Sequence, residues 1–139
     1  MKIHAVIDTN VLVSSLLTKR RDAATARLVD ALFEGRFCAV YNGEILEEYE
    51  EVLSRREFRF EPDVVNGILD IVRENGICVS RIPTEDPVID PKDVVFYEVA
   101  LSVEGSYLVT GNLRHFPQKP IVITPAEMMK ILEENEKQQ

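Results

Sequence analysis

The stretch HAVIDTNVLVSSLL, residues 4–17, is apolar up to Asp8, breaks at Asp8, Thr9 and Asn10, and resumes at Val11. A carboxylate at the edge of an apolar run loses hydration, an expensive change unless the group is paired or bound to a metal. Working outward, residues 2–7 are short and rich in β-branched side chains, which predicts a buried strand. Asp8 would then lie at the carboxyl end of that strand, with a short helix starting at 11–17.

The rest of the chain alternates in the same way. Strands are expected at 36–42 (RFCAVYN), 77–82 (ICVSRI), 106–110 (SYLVT) and 121–124 (IVIT). Helices are expected at 22–34, 43–58, 61–76, 92–104 and 125–135, with Asp22 as an N-cap and Gly35 and Gly76 as stops. Residues 84–91 read as a turn-rich loop, and the polar tail frays. Alternating strands and helices predict an α/β fold: a three-layer α/β/α sandwich around a central, mostly parallel sheet of about five strands. No repeat or interdomain linker is visible, so residues 1–139 are read as one domain.

Composition narrows the classes. A hydrophobic fraction of 45% with 29% charged residues supports a packed core. No apolar run approaches the roughly 18 residues of a membrane helix, and the N-terminus does not read as a signal peptide. A cytoplasmic protein is the expectation, with Cys38 and Cys78 reduced and in the core. The net charge of −8 argues against tight non-specific nucleic-acid binding through phosphate neutralisation. Local basic clusters remain at Lys19, Arg20, Arg21 and Arg27, at Arg55, Arg56 and Arg59, and at Arg114 and His115. Each has a plain alternative as solvated surface.

In a parallel sheet the functional crevice lies beyond the carboxyl ends of the strands. Asp8 follows the first strand, and Thr110, Gly111 and Asn112 follow the fourth. On the helix from 43, Ile45, Leu46, Tyr49, Val52 and Leu53 form an apolar stripe at about 100° per residue. Glu47 and Glu51 fall on the far side, whereas Glu48 and Glu50 flank the stripe, so either flanking acid could reach a crevice. Asp90, Pro91 and Asp93 make a good helix start, and Asp93 is also placed to lie near the carboxyl edge. Glu98 has two readings, a further buried acid or a salt-bridged or surface one. Three or four oxygen ligands converging at one edge suit a hard cation, Mg²⁺ or Mn²⁺. Such sites hydrolyse phosphodiesters with metal-activated water.

The pieces VIDTNVLVS, EILEEYEEVLSR, DPKDVVFYEVAL and YLVTGNLRHFP, followed by IVITPAEMM, occur in order over nearly the whole chain. In these the sequence resembles the PIN domain family of metal-dependent ribonucleases. Within it, the chain looks like the toxin component of a prokaryotic type II toxin–antitoxin system. The resemblance implies Asp8, Glu48 and Asp93 as the catalytic and metal-binding acids, with Thr9, Asn10 and Thr110 in support. Asn112 stands where many members of the family carry Asp. An amide keeps a carbonyl ligand and loses a charge, which weakens a second metal site more than the first. The resemblance also implies an RNA substrate, an antitoxin partner and a homodimer, with Arg20, Arg21 and Arg114 as RNA contacts. Two other readings stay open: a catalytically weakened PIN-fold module that binds RNA or protein, and a metal-dependent phosphatase or DNA nuclease on a similar sheet. Asn at position 10 removes the second Asp that a phosphoaspartate hydrolase would use.

Overall fold

A computed structural model describes residues 2–138. Its sheet has five strands, β1 (Ile3–Ile7), β2 (Phe37–Tyr41), β3 (Ile77–Cys78), β4 (Tyr107–Val109) and β5 (Val122–Ile123). All pairings are parallel, in the order β3-β2-β1-β4-β5. Six α-helices join them: α1 (Thr9–Leu17), α2 (Ala24–Phe33), α3 (Gly43–Leu53), α4 (Pro62–Asn75), α5 (Val94–Leu101) and α6 (Pro125–Lys137). This is the α/β architecture expected from the alternation of elements.

All five residues of β2 are buried. Neighbouring residues of a strand point to opposite faces, so both faces of the sheet are covered there. Helix α5 packs against β1, β2 and β4, while α2 and α4 pack against β2 and against each other. The core is a single cluster of apolar side chains that includes Val6, Leu12, Ile68, Phe96, Leu108 and Met128.

The strand order places the functional edge. From β1 the chain builds outward through β2 to β3, then crosses back to lay β4 on the other side of β1. The order therefore reverses between β1 and β4, and a crevice opens at the carboxyl ends of strands flanking such a switch point.

Element ends differ from the sequence expectation where local chemistry decides. Helix α3 stops at Leu53 rather than 58, and Ser54 starts a turn at its C-terminus. The third strand has two residues instead of six, because beyond Cys78 only Val79 N–H still reaches the neighbouring strand, at Tyr41 O. As an outer strand it leaves Cys78 exposed, whereas Cys38 is buried as expected, and both are free thiols. Asp22 does not cap α2: Ala23 holds that position and Asp22 pairs with Arg20. Gly35 does end α2, with a φ of 73° that favours glycine. The helix expected over 92–104 is a 3-10 turn at Pro91–Asp93 followed by α5. Among the described residues, no helix is long and apolar enough to cross a membrane.

Two glycines make the packing testable. A Cβ at Gly76 would lie 2.3 Å from Val72 O and 2.7 Å from Ala39 O, both backbone atoms. Gly76→Ala is expected to cost about 1–3 kcal/mol. At Gly67, inside α4, a Cβ meets nothing closer than the Phe33 ring at 3.9 Å. Gly67→Ala is expected to stabilise by about 0.5–1 kcal/mol, since glycine is a poor helix former. Urea denaturation of both variants checks the pair, and equal effects would contradict this packing of α4.

Candidate active site

Asp8 continues the ladder of β1 by one residue, its N–H donating to Val109 O at 2.9 Å. It takes the N-cap position of α1 without a side-chain capping bond. Its carboxylate instead accepts from Thr110 Oγ1 at 2.7 Å. Asp8 and Thr110 are thus joined across the switch point between β1 and β4, and both are buried. Thr110 Oγ1 also accepts the Asn112 N–H at 2.9 Å, which ties the loop after β4 to the same point.

Helix α3 is drawn over this edge by one buried bond. Tyr49 Oη donates to Ile7 O, the carbonyl just before Asp8. One residue earlier on α3, Glu48 accepts a short hydrogen bond from the Thr9 hydroxyl. Glu48 is half-buried, whereas Glu47, Glu50 and Glu51 are exposed. That sorting follows from the apolar stripe, where Ile45, Tyr49 and Leu53 are the buried residues.

Asp93 ends the 3-10 turn before α5, with Asp90 capping that turn through a bond from Lys92 N–H. The Asp93 carboxylate lies 3.4 Å from His115 Nδ1. Burial pushes the Asp93 carboxyl up, and the charges of Asp8 and Asp90 raise it further, against the pull of His115. The Asp8 carboxyl is also raised. Burial outweighs the Thr110 bond, the N–H groups of Asn10 and Thr9, and the charge of His115, all of which favour its ionised form. The Tyr49 hydroxyl is pushed well up by burial and then by the charges of Asp8 and Glu48.

The structure therefore brings Asp8, Thr9, Glu48, Asp93 and Thr110 to one edge, with Asn112 beside them and Asn10 exposed on the first turn of α1. Arg20 and Arg21 lie on the exposed surface and pair with Asp22 and Asp30. Arg114 is exposed and has no ion-pair partner among the described residues. Glu98 is both buried and salt-bridged, and is not on the surface. Arg81 is bonded to one oxygen at 2.7 Å and Thr84 N–H to the other at 2.6 Å.

Two residues escaped the sequence reading. From sequence His115 reads only as part of a basic surface pair, yet it faces Asp93 and its charge reaches Asp8. From sequence Tyr49 reads as core, and in the structure its hydroxyl fixes α3 at the site. The only signal for His115 was its place three residues after Asn112, on the loop leaving β4.

The donors present, three carboxylates and one amide, have the chemistry of a hard-cation site. The like-charge effect of Asp8 on Asp93 is the electrostatic condition that a cation relieves. Among the described residues, no three His, Cys, Asp or Glu side chains are grouped closely enough to hold a metal ion. Each of the three carboxylates is engaged by a protein partner: Asp8 by Thr110, Glu48 by Thr9 and Asp93 by His115. The donor chemistry fits a divalent cation, while the spacing seen is not a closed ligand set.

Residues 4–114 match the model of a family described as PIN domain. No curated protein and no solved structure matches the chain.

The raised Asp8 carboxyl sets a sign for stability. An acid whose folded pKa lies above its unfolded value binds more protons when folded, so stability falls as pH rises through that window. In chelator-containing buffer, Asp8→Asn is expected to be more stable than the wild type at neutral pH. The gap should close as pH drops below the ordinary carboxyl value of 3.8. Urea titrations across that range measure it, and a wild type that is the more stable of the two at neutral pH would refute the burial penalty.

Proposed function

Because the chain belongs to the PIN domain family, a nuclease-type fold, we propose that it is a metal-dependent endoribonuclease acting on single-stranded or looped RNA. One observation carries this reading. Asp8 follows β1 beside the switch point of a parallel sheet, bonded to Thr110 from the end of β4, and its charge is felt at Asp93, whose carboxyl it raises. The residues that would hold Mg²⁺ or Mn²⁺ are Asp8, Glu48 and Asp93, with the Asn112 carbonyl as a neutral donor. When bound, such a cation neutralises charge on phosphoryl oxygens and lowers the pKa of its water.

The chain's own residues prepare that chemistry. Thr110 donates to Asp8 and helps orient its carboxylate. Tyr49 anchors α3 so that Glu48 stays at the edge. Thr9 holds Glu48 in reserve, and His115 does the same for Asp93. Arg114, which has no ion-pair partner beside the crevice, is the best placed of the sequence-predicted RNA contacts. Arg20 and Arg21 would first have to exchange exposed ion pairs, which are worth at most about 1 kcal/mol each.

The likeness in sequence to toxins of type II toxin–antitoxin systems extends the proposal to a toxin role in the cytoplasm, an antitoxin that silences the crevice, and a homodimer. A second reading, a weakened module that binds RNA or protein, is favoured by Asn112 and by the net charge of −8.

Cleavage of a mixed RNA pool with Mg²⁺ or Mn²⁺ tests the proposal. Asp8→Asn and Asp93→Asn are each expected to lower the rate at least about a hundredfold, since metal-based charge stabilisation is worth several kcal/mol. Mn²⁺ should also raise the Tm of the wild type and leave that of Asp8→Asn unchanged. Equal cleavage by all three proteins would mark a contaminant and leave the nuclease reading without support. RNA binding that is indifferent to metal, with no cleavage even by Asn112→Asp, would favour the binding module.

A further inference from the structure

Between α3 and α4 runs the stretch SRREFRFEP, residues 54–62, whose three arginines the proposed chemistry does not use. It forms a turn, with Arg55 N–H donating to Val52 O and Phe58 N–H to Arg55 O, each at 3.2 Å. Arg59 has a φ of 54°, a left-handed conformation that costs a non-glycine residue roughly 1 kcal/mol or more. On either side of it, Phe58 and Phe60 stack at 5.1 Å with their planes 7° apart.

The turn borders a hollow of about 220 Å³, lined among others by Leu53, Arg55, Arg56, Arg59, Phe60 and Asn66. Its charged lining is wholly cationic, although Glu57 and Glu61 belong to the same stretch of chain. Arg55 is bonded to Glu51. Arg56 and Arg59 are exposed and have no ion-pair partner among the described residues. Two unpaired guanidinium groups in a chain of net charge −8 call for an anion, and their planar forks match phosphate. An aromatic ring in the same lining suits a nucleotide better than a bare carboxylate. The hollow is also close to the candidate site. Leu53 lies five residues after Glu48 on α3, about 8 Å along the axis, and the charge of Glu48 is felt at Arg55.

From this juxtaposition we infer that the hollow binds the backbone phosphates of single-stranded RNA through Arg56 and Arg59, as a contact remote from the carboxylates. The inference rests on the ribonuclease reading and names where the substrate strand is held. It also answers the charge problem, because an acidic protein needs local cationic contacts to bind a polyanion.

The test is fluorescence anisotropy of a labelled single-stranded oligouridine in EDTA, over a range of salt. Arg56→Gln/Arg59→Gln is compared with the wild type and with Arg73→Gln/Lys130→Gln, which removes the same charge elsewhere on the exposed surface. Each phosphate contact on a single strand contributes about 0.7 to the slope of log affinity against log salt. The slope is expected to fall by about 1.4 in the first variant, with affinity down about tenfold, and to hold in the second. Thermal melts confirm that both variants fold. Wild-type binding with the same slope in both variants overturns this inference and leaves the nuclease reading intact. If the first variant keeps its RNA affinity and loses binding to polyglutamate, the hollow belongs to an acidic protein segment and the inference fails. A wild type that neither binds nor cleaves RNA removes both.

Discussion

The structure turns on the position of β1 in the middle of its sheet. A central parallel strand has hydrogen-bonded neighbours on both edges and packed side chains on both faces. It has no room for a charge until it ends. Ala5, Val6 and Ile7 are fully buried, and Asp8 is the first residue that reaches the crevice. Its backbone is still in the ladder, bonded to Val109, so the carboxylate is delivered from a rigid element. Two further buried bonds are organised around that point. Thr110 reaches Asp8 from the end of β4, and Tyr49 reaches the Ile7 carbonyl from α3. Glu48, the residue before Tyr49 on α3, accepts from Thr9 at the same edge.

The acids of this chain divide by what compensates them. Glu98 is buried against a guanidinium and a backbone amide, and Arg81 also reaches Glu44 at 2.9 Å. That is a satisfied ion-pair network, whose role is to hold the 79–90 loop against α5. Asp8 and Asp93 have no guanidinium partner: Asp8 has the Thr110 hydroxyl and the N–H groups of Asn10 and Thr9, and Asp93 has the His115 imidazole. For both, the loss of water outweighs these partners, and the carboxyl groups are raised. A buried acid left undercompensated next to another acid has little value for stability, which is why this pair marks the crevice and Glu98 does not.

Charge on the larger scale follows a different logic. Exposed ion pairs such as Arg20–Asp22 and Arg27–Glu133 tile the surface and contribute little each. Among the described residues, the arginines without ion-pair partners, Arg56, Arg59 and Arg114, lie on the turns that follow α3 and β4. An acidic protein can therefore present local positive surface near its carboxylates.

The sequence alone determined the alternation of strands and helices, and with it the parallel sheet and its functional edge. Short β-branched runs and an apolar stripe at period 3.6 report burial directly, so Asp8 at a strand end and the flanking acids Glu48 and Glu50 were legible. The resemblance in sequence chose Glu48 over Glu50 and gave Asp93 its role as the third acid. Tertiary structure decided what those patterns do not encode. Helix α3 ends at Leu53 although its charge pattern runs on, because the chain must turn there to start α4. Cys78 is exposed because β3 lies at the outside of the sheet, a fact of strand order rather than of composition. His115 meets Asp93, and Tyr49 meets Ile7, across separations of 22 and 42 residues. Local periodicity carries no information about such pairs; they exist only once the sheet order has brought β1, α3 and the loop after β4 to the same edge.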